Sequence, residues 1–165
     1  MNNDTQPKQL AEADDASETS GRALTPRRRR ILVVDDEPAA RVLANRVFSE
    51  AGFDIVTVQS GFECLEHFRK QPHGFDLILL DLSMPFMDGE ETFRRLRDIN
   101  PNVVVLLSTG FTAQDRVDRM MAAGMAGYIR KPHRPDELLV RVQVILEDAK
   151  LSRAGCAASD MTSFV

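Results

Sequence analysis

The feature of this sequence that most restricts its fold is a regular alternation between short apolar runs and segments with helical periodicity. The apolar runs recur at intervals of 22 to 26 residues, and each is short enough to form one buried strand. The predicted strands span residues 31–35, 54–58, 76–81, 102–108 and 126–130. Strands at this spacing with helices between them are typical of a parallel sheet covered by helices on both faces. We therefore predict a doubly wound α/β fold.

Residues that favour helix starts support this alternation. Ser60 stands three residues before Glu63, and Asp88 stands three residues before Glu91, as in capping boxes. Thr112 offers another side-chain oxygen for the start of the fourth helix. The first and fifth helices are predicted from the spacing of their apolar residues.

The composition is that of one ordinary globular domain with flanking segments. The chain has 165 residues, of which 43% are hydrophobic and 28% charged, close to the averages for globular domains of about 150 residues. Its apolar runs are far shorter than the roughly 20 residues of a membrane helix, so we expect a cytoplasmic protein without membrane insertion. Cys64 and Cys156, the only cysteines, do not form a disulfide framework or a zinc motif, and Cys64 is interpreted as a core residue.

The two ends of the chain differ in character from the middle. Residues 1–30 are predicted to be a disordered arm that ends in a basic cluster at 27–30, residues 31–149 to be the domain, and residues 150–165 to be a flexible tail. Although such a cluster could touch nucleic acid or anionic lipid, a solvated charge run beside a strand is the favoured interpretation. After Arg30 the chain has 15 basic and 20 acidic residues, and this balance disfavours direct nucleic-acid binding.

Chemically reactive side chains stand at the ends of four predicted strands. They are Asp35 and Asp36 after the first strand, Asp81 after the third, Thr109 after the fourth and Lys131 after the fifth. In open parallel sheets, ligands bind beyond the carboxyl ends of the strands, and a strand order of 2-1-3-4-5 makes the first and third strands neighbours. Three carboxylates in one pocket repel each other unless a cation compensates, and oxygen-only ligands suit Mg²⁺. Lys131 and Thr109 could then contact the oxygens of a phosphoryl group.

Five short motifs in the order found here resemble the receiver domain of two-component response regulators. The motifs are DD at 35–36, DLSMP at 81–85, MDG at 87–89, TG at 109–110 and GYIRKP at 127–132. Each motif is weak alone, but five in order at the right spacing are specific, and the resemblance covers about residues 31–149. It implies a flavodoxin-like (βα)5 domain with a five-stranded parallel sheet in the order 2-1-3-4-5. Because neither flanking segment can fold an output module, it further implies a stand-alone, single-domain response regulator.

The resemblance also implies a role for each site residue. Asp81 would be the phosphoacceptor, and Asp36 and Asp81 would bind Mg²⁺ directly. Asp35 would bind the ion through water, and the backbone carbonyl of Ser83 would be a further ligand.

The remaining motif residues are implied to sense the phosphoryl group. Lys131 and Thr109 would contact its oxygens, and Tyr128 would be an aromatic switch that turns inward when Thr109 moves. The Lys131–Pro132 peptide bond is implied to be cis, an isomer tolerated before proline. His133 departs from the family, which often has an aromatic residue at this position.

The implied partners are a sensor histidine kinase or a histidine phosphotransfer protein, together with a downstream protein target. The protein would catalyse only its own phosphorylation and dephosphorylation, without an organic cofactor. A receiver-shaped interaction module that is never phosphorylated, or a phosphorelay sink without its own output, are the alternatives. An aspartyl-nucleophile phosphatase is less favoured, because that class requires D-x-D after the first strand and here Asp35 and Asp36 are adjacent.

Overall fold

The computed structural model describes residues 27–110 and 114–159, with the backbone alone for residues 153–159. Strands and helices alternate throughout the described residues. The strands are β1 (Arg30–Val34), β2 (Asp54–Val58), β3 (Leu77–Asp81), β4 (Val105–Thr109) and β5 (Gly127–Arg130). The helices are α1 (Pro38–Glu50), α2 (Gly61–Lys70), α3 (Gly89–Ile99), α4 (Gln114–Ala122) and α5 (Pro135–Ser159). The predicted α/β alternation is confirmed.

All five strands form one parallel sheet in the order β2-β1-β3-β4-β5. This is the predicted order, in which β1 and β3 are neighbours and β2 lies at an edge. Val34 pairs with Leu80, and Asp81 pairs with Ser108. The residues that follow β1, β3 and β4 therefore meet at one end of the sheet, which we call the carboxyl end.

The alternation of side chains along the strands divides the core into two layers. Leu32 and Val34 of β1 pack with α2, α3 and α4, whereas Ile31 and Val33 pack with α1 and α5. Because both faces are covered, the central strands are apolar at nearly every position, as buried parallel sheets require. Cys64 lies fully buried in the first layer, as predicted, and burial raises the pKa of its thiol to about 12.

Two of the predicted helix caps are present. The Ser60 hydroxyl oxygen accepts a hydrogen bond from the Glu63 amide at 3.2 Å, and the Asp88 carboxylate accepts one from the Glu91 amide at 2.9 Å. Each bond satisfies an amide that the helix itself leaves unpaired. The predicted cap at Thr112 lies outside the described residues.

The basic cluster at the start of β1 is held by ion pairs at the amino end of the sheet. Arg27 pairs with Asp76 at 2.9 Å, Arg29 with Glu147 at 2.5 Å, and Arg30 with Asp54 at 3.0 Å. The Arg30 guanidinium also lies 5.1 Å from the centroid of the Phe75 ring. These contacts join Arg27, Arg29 and Arg30 to the domain, although residues 27–30 are predicted from the sequence to belong to the arm. Residues 1–26 of the predicted arm lie outside the described residues.

The last helix is longer than the sequence indicated. We expected a flexible tail from residue 150, but α5 continues to Ser159. Apolar periodicity does end near Lys150, yet the following segment is rich in alanine, the strongest helix former, and so the helix continues. Residues 160–165 lie outside the described residues. Among the residues described, no helix combines the length and apolarity needed to span a membrane.

Candidate functional site

Three carboxylates converge at the carboxyl end of the sheet. Asp35 and Asp36 follow β1, Asp81 ends β3, and one oxygen from each lies within 4.8 Å of the others. Asp35 and Asp81 are each only 5% exposed, whereas Asp36 is open to solvent. The sheet order creates this cluster, because it places β1 and β3 side by side with their ends level.

Lys131 brings a positive charge to the cluster from the loop after β5. Its ammonium group lies 2.7 Å from an Asp35 oxygen and 3.0 Å from an Asp81 oxygen. The Lys131 amide donates to the Thr109 carbonyl at 2.7 Å, which continues the β4–β5 pairing into this loop. The Lys131–Pro132 peptide bond is cis, as expected.

The pKa values of Asp81 and Lys131 reflect burial and mutual attraction. Burial raises the pKa of Asp81 most strongly, and the charges of Asp35 and Asp36 raise it further, although Lys131 opposes both effects. Burial by itself lowers the pKa of Lys131, but the hydrogen bonds and charges of Asp35 and Asp81 outweigh it, so the net pKa lies above its ordinary value. The ionised form of Asp81 is therefore disfavoured here despite Lys131, and a further cation would stabilise it.

The donor set fits a hard divalent cation. All three side chains offer carboxylate oxygens, and no described histidine or cysteine belongs to the cluster. Mg²⁺ prefers such oxygen ligands and retains several waters, which suits the solvent-open position of Asp36. Ser83, whose carbonyl was predicted as a further ligand, lies exposed at the start of the loop between β3 and α3.

The two predicted switch residues lie on the neighbouring strands β4 and β5. Thr109 is buried at the end of β4, where its hydroxyl donates to the Gly110 carbonyl at 3.3 Å. Tyr128 of β5 is half-buried against the core layer that contains α4, and it pairs in register with Leu107. Neither side chain has a described contact with the three carboxylates.

The loop between β3 and α3 holds Asp81 in place through close backbone packing. The Gly89 amide donates to the Leu82 carbonyl at 3.0 Å, and a Cβ atom at Gly89 would lie 2.5 Å from the Asp81 carbonyl oxygen. Within this loop, the Met87 amide donates to the Pro85 carbonyl at 2.7 Å, and Phe86 between them has a φ of 65° and is fully exposed. A bulky residue at positive φ is strained.

Sequence reasoning missed two side chains beside the cluster. The Arg41 guanidinium donates to the backbone carbonyls of Asp35 and Asp36. His133 places Nε2 at 3.4 Å from the Ser108 hydroxyl, and burial lowers its pKa. A basic residue in the first turn of a helix, where the macrodipole disfavours it, could have drawn attention to Arg41. His133 was noted only as a departure from the family.

A doubly wound sheet with acidic residues at the point where strand order reverses defines a flavodoxin-like α/β protein with a ligand site at that point. The sequence matches the family model of the response regulator receiver domain over residues 31–143. The chain therefore belongs to the receiver domain family of response regulators, which are signalling proteins of two-component systems.

Individual relatives agree with this family but differ in length. The chain is 32% identical to sporulation initiation phosphotransferase F of Bacillus subtilis over 109 residues, which cover 66% of this chain and 86% of the relative. It is 35% identical to response regulator MprA of Mycobacterium ulcerans over 138 residues, which cover 82% of this chain but only 57% of that relative.

Solved structures share the fold. A receiver domain protein from Clostridium thermocellum superimposes with a TM-score of 0.71 at 27% identity, covering 74% of this chain and 98% of that one. A CheY-like receiver domain protein from Methanospirillum hungatei gives a TM-score of 0.72 at 25% identity, covering 76% of this chain and 99% of that one.

Proposed function

We propose that Asp81 accepts a phosphoryl group from a phosphohistidine of a sensor histidine kinase or histidine phosphotransfer protein, in a reaction that requires Mg²⁺. The observation that carries this proposal is the cluster of Asp35, Asp36 and Asp81 within 4.8 Å, with Lys131 bonded to two of them. Such a site accommodates a strongly anionic group only together with cations. Phosphorylation then changes which protein partner the domain binds, and the reaction takes place in the cytoplasm.

The transfer is a displacement at phosphorus. A carboxylate oxygen of Asp81 attacks the phosphorus atom, the O–P bond forms, and the P–N bond breaks. The electron pair of the P–N bond returns to the imidazole nitrogen, which leaves neutral because the other ring nitrogen carries a proton. The product is an acyl phosphate on Asp81. Mg²⁺, when bound, neutralises charge on the group in transfer.

The other residues of the site would position the ion and the phosphoryl oxygens. Asp36 and Asp81 would bind the ion directly, Asp35 through a water molecule and Ser83 through its carbonyl oxygen. Lys131 already reaches Asp81 at 3.0 Å, so its ammonium group needs only a short movement to contact a phosphoryl oxygen bound there.

The proposed switch begins at Thr109. Its hydroxyl makes only a long hydrogen bond of 3.3 Å to the Gly110 carbonyl, so little is lost when it turns toward a phosphoryl oxygen. Tyr128 on the adjacent strand then turns inward, which shifts a pre-existing population rather than building a new state. Because Tyr128 is the only tyrosine, its side-chain NMR signals should change when a phosphoryl mimic binds. Unchanged signals would contradict this switch.

A phosphorelay role is a second candidate. The chain spans 86% of a relative named sporulation initiation phosphotransferase F, and that similarity favours a protein that receives a phosphoryl group and passes it on. The relay role and the partner-binding role share the same acceptor chemistry at Asp81. They differ in whether a phosphotransfer protein removes the group.

The acceptor chemistry can be tested with a small phosphodonor. Wild type, Asp81→Asn and Asp98→Asn proteins are incubated with acetyl phosphate in Mg²⁺ or in chelator, and the intact mass is recorded. Asp98 is an exposed acid of α3 and serves as the matched control. We expect one phosphoryl group on wild type and Asp98→Asn in Mg²⁺ only, because Asp81 is the sole acceptor and its neighbours repel an anion without the ion.

The label should be lost on alkaline treatment, as expected for an acyl phosphate. Equal labelling of Asp81→Asn would refute the assignment of the acceptor, and labelling in chelator would refute the need for Mg²⁺. No labelling of wild type in Mg²⁺ would favour the unphosphorylated interaction module.

A further inference from the structure

Arg41 contacts the entire loop that carries the acidic pair. Its Nη1 atom lies 2.6 Å from the Asp35 carbonyl oxygen and 3.0 Å from the Asp36 carbonyl oxygen. Its backbone amide donates to the Glu37 carbonyl at 3.2 Å. One residue in the first turn of α1 therefore binds three consecutive carbonyl oxygens of the segment between β1 and α1.

The start of α1 is otherwise an unfavourable place for a basic residue. Glu37, at the N-cap, makes no side-chain capping bond, and the first turn contains no acidic residue. The amides at a helix start carry partial positive charge, which disfavours a guanidinium nearby. The three carboxylates of the cluster offset this effect, because they concentrate negative charge beside the same loop.

The Arg41 contacts leave every carboxylate oxygen of the cluster available. Asp35 is fixed independently, because its side chain accepts hydrogen bonds from the Glu37 amide at 2.9 Å and from Lys131 at 2.7 Å. Across residues 27–110 and 114–159, no hydrogen bond or ion pair to the Asp36 side chain is found. The position of Asp36 therefore depends on its backbone, which Arg41 holds through the carbonyl oxygens.

We infer that Arg41 is a positioning residue for a divalent cation at this cluster. It holds Asp36 where its carboxylate can act together with Asp35 and Asp81, and it does so without occupying a carboxylate oxygen that the ion needs. Lys131 acts in the opposite way, since it bonds directly to two of the carboxylates. The inference rests on the proposed Mg²⁺ requirement, but it concerns binding of the ion and not phosphorylation.

The test is a Mg²⁺ titration of the full-length chain, in which NMR monitors the amide chemical shifts of Asp36 and Glu37. Arg41→Met keeps the aliphatic stem but removes the donors, and Arg41→Lys restores one cationic donor group. Arg46→Met is the matched control, because Arg46 lies on the same helix and is exposed, and its ion pair is to Glu50 at 2.9 Å.

We expect Arg41→Met to raise the Mg²⁺ dissociation constant about 10-fold, the usual size of an effect exerted through a ligand's supporting partner. Arg41→Lys should fall between Arg41→Met and wild type, and Arg46→Met should match wild type. Thermal unfolding in chelator separates this effect from a loss of fold, and Arg41→Gln replaces Arg41→Met if that variant does not fold.

Three results would overturn the inference, and they have different meanings. Unchanged affinity in Arg41→Met would show that Asp36 is positioned without Arg41. An equal loss in Arg46→Met would show that substitutions in α1 weaken binding in general and not through the contacts of Arg41. A wild-type protein without saturable Mg²⁺ shifts would refute the metal requirement in the proposed function as well, whereas the first two results leave that requirement intact.

Discussion

At the amino end of the sheet, Arg27, Arg29 and Arg30 each pair with a different carboxylate. At the carboxyl end, three carboxylates lie together with one ammonium group, that of Lys131, which pairs with two of them. Both ends are built from the same strands and differ mainly in whether charges are matched. The amino end joins β1 to its neighbours and to α5, while the carboxyl end keeps an excess of negative charge.

The comparison indicates where this domain trades stability for function. Matched and largely exposed ion pairs contribute little each but impose no penalty. Asp35 and Asp81 share one ammonium group, and ionised Asp81 costs stability because it is buried and its carboxylate neighbours repel it. Phe86 adds backbone strain at the same end. Strain and unpaired charge cluster at functional sites because the rest of the fold sustains them.

The largest expected effect is at Gly89, where the carboxyl end is packed most closely. Gly89→Ala should lower the free energy of unfolding by about 3 kcal/mol, because its Cβ would lie 2.5 Å from the Asp81 carbonyl oxygen. Urea denaturation measures the change. Gly110→Ala is the control at the same end, since, apart from its chain neighbours, no atom of the described residues lies within 4 Å of its Cβ position. Equal effects of the two substitutions would contradict this account of the loop.

At the amino end, Asp76 should contribute more to stability than an arginine that forms only a surface ion pair. Asp76→Ala should lower the free energy of unfolding by about 2 kcal/mol, because the half-buried Arg30 amide loses its 2.7 Å hydrogen bond. Arg29→Ala removes only an ion pair with an exposed glutamate and should cost about 0.5 kcal/mol or less, with a smaller effect at high salt. Denaturation at two salt concentrations distinguishes the two kinds of contact.

At the carboxyl end, substitution of an acidic residue should increase stability instead of lowering it. Without Mg²⁺ at neutral pH, Asp81→Asn should raise the free energy of unfolding by about 1 kcal/mol, a value reduced for the water that still reaches this carboxylate. Since the pKa of Asp81 is raised on folding, the folded state binds its proton more tightly than the unfolded state does. Wild type should therefore lose stability relative to Asp81→Asn as the pH rises through the carboxyl range. If the difference in stability between wild type and Asp81→Asn did not change with pH, the raised pKa of Asp81 would not be its cause.

A small gain in stability is expected at the strained turn. Phe86→Gly should raise the free energy of unfolding by about 0.5 kcal/mol, because glycine adopts a φ of 65° without steric cost but loses more entropy on folding. Phe86→Ala removes the ring but keeps the Cβ atom, so it should give no gain. Thermal unfolding of both variants makes the comparison, and a gain in both would point to the exposed ring instead of the backbone.

Much of the fold could be predicted because its determinants are local. Apolar runs identify β1 to β5, and Ser60 and Asp88 mark helix starts within one turn of the chain. The end of α5 was misplaced for the same reason, since apolar periodicity reports burial against the core and not helix formation itself. The strand order and the acidic cluster were predictable because residues at parallel strand ends necessarily meet.

The amino-acid sequence by itself determined the α/β alternation, the caps and the residue types at the strand ends, since each depends on short-range patterns. Tertiary structure alone decided which groups touch. Lys131 bonds to Asp35 across 96 positions of the chain, Arg27 pairs with a carboxylate just before β3, and Arg29 pairs with one on α5. Sequence spacing carries no information about such distant contacts. These contacts form because the sheet brings remote segments of the chain together. Tertiary structure also decides that the Arg41 guanidinium contacts the carbonyl oxygens of Asp35 and Asp36 just after β1.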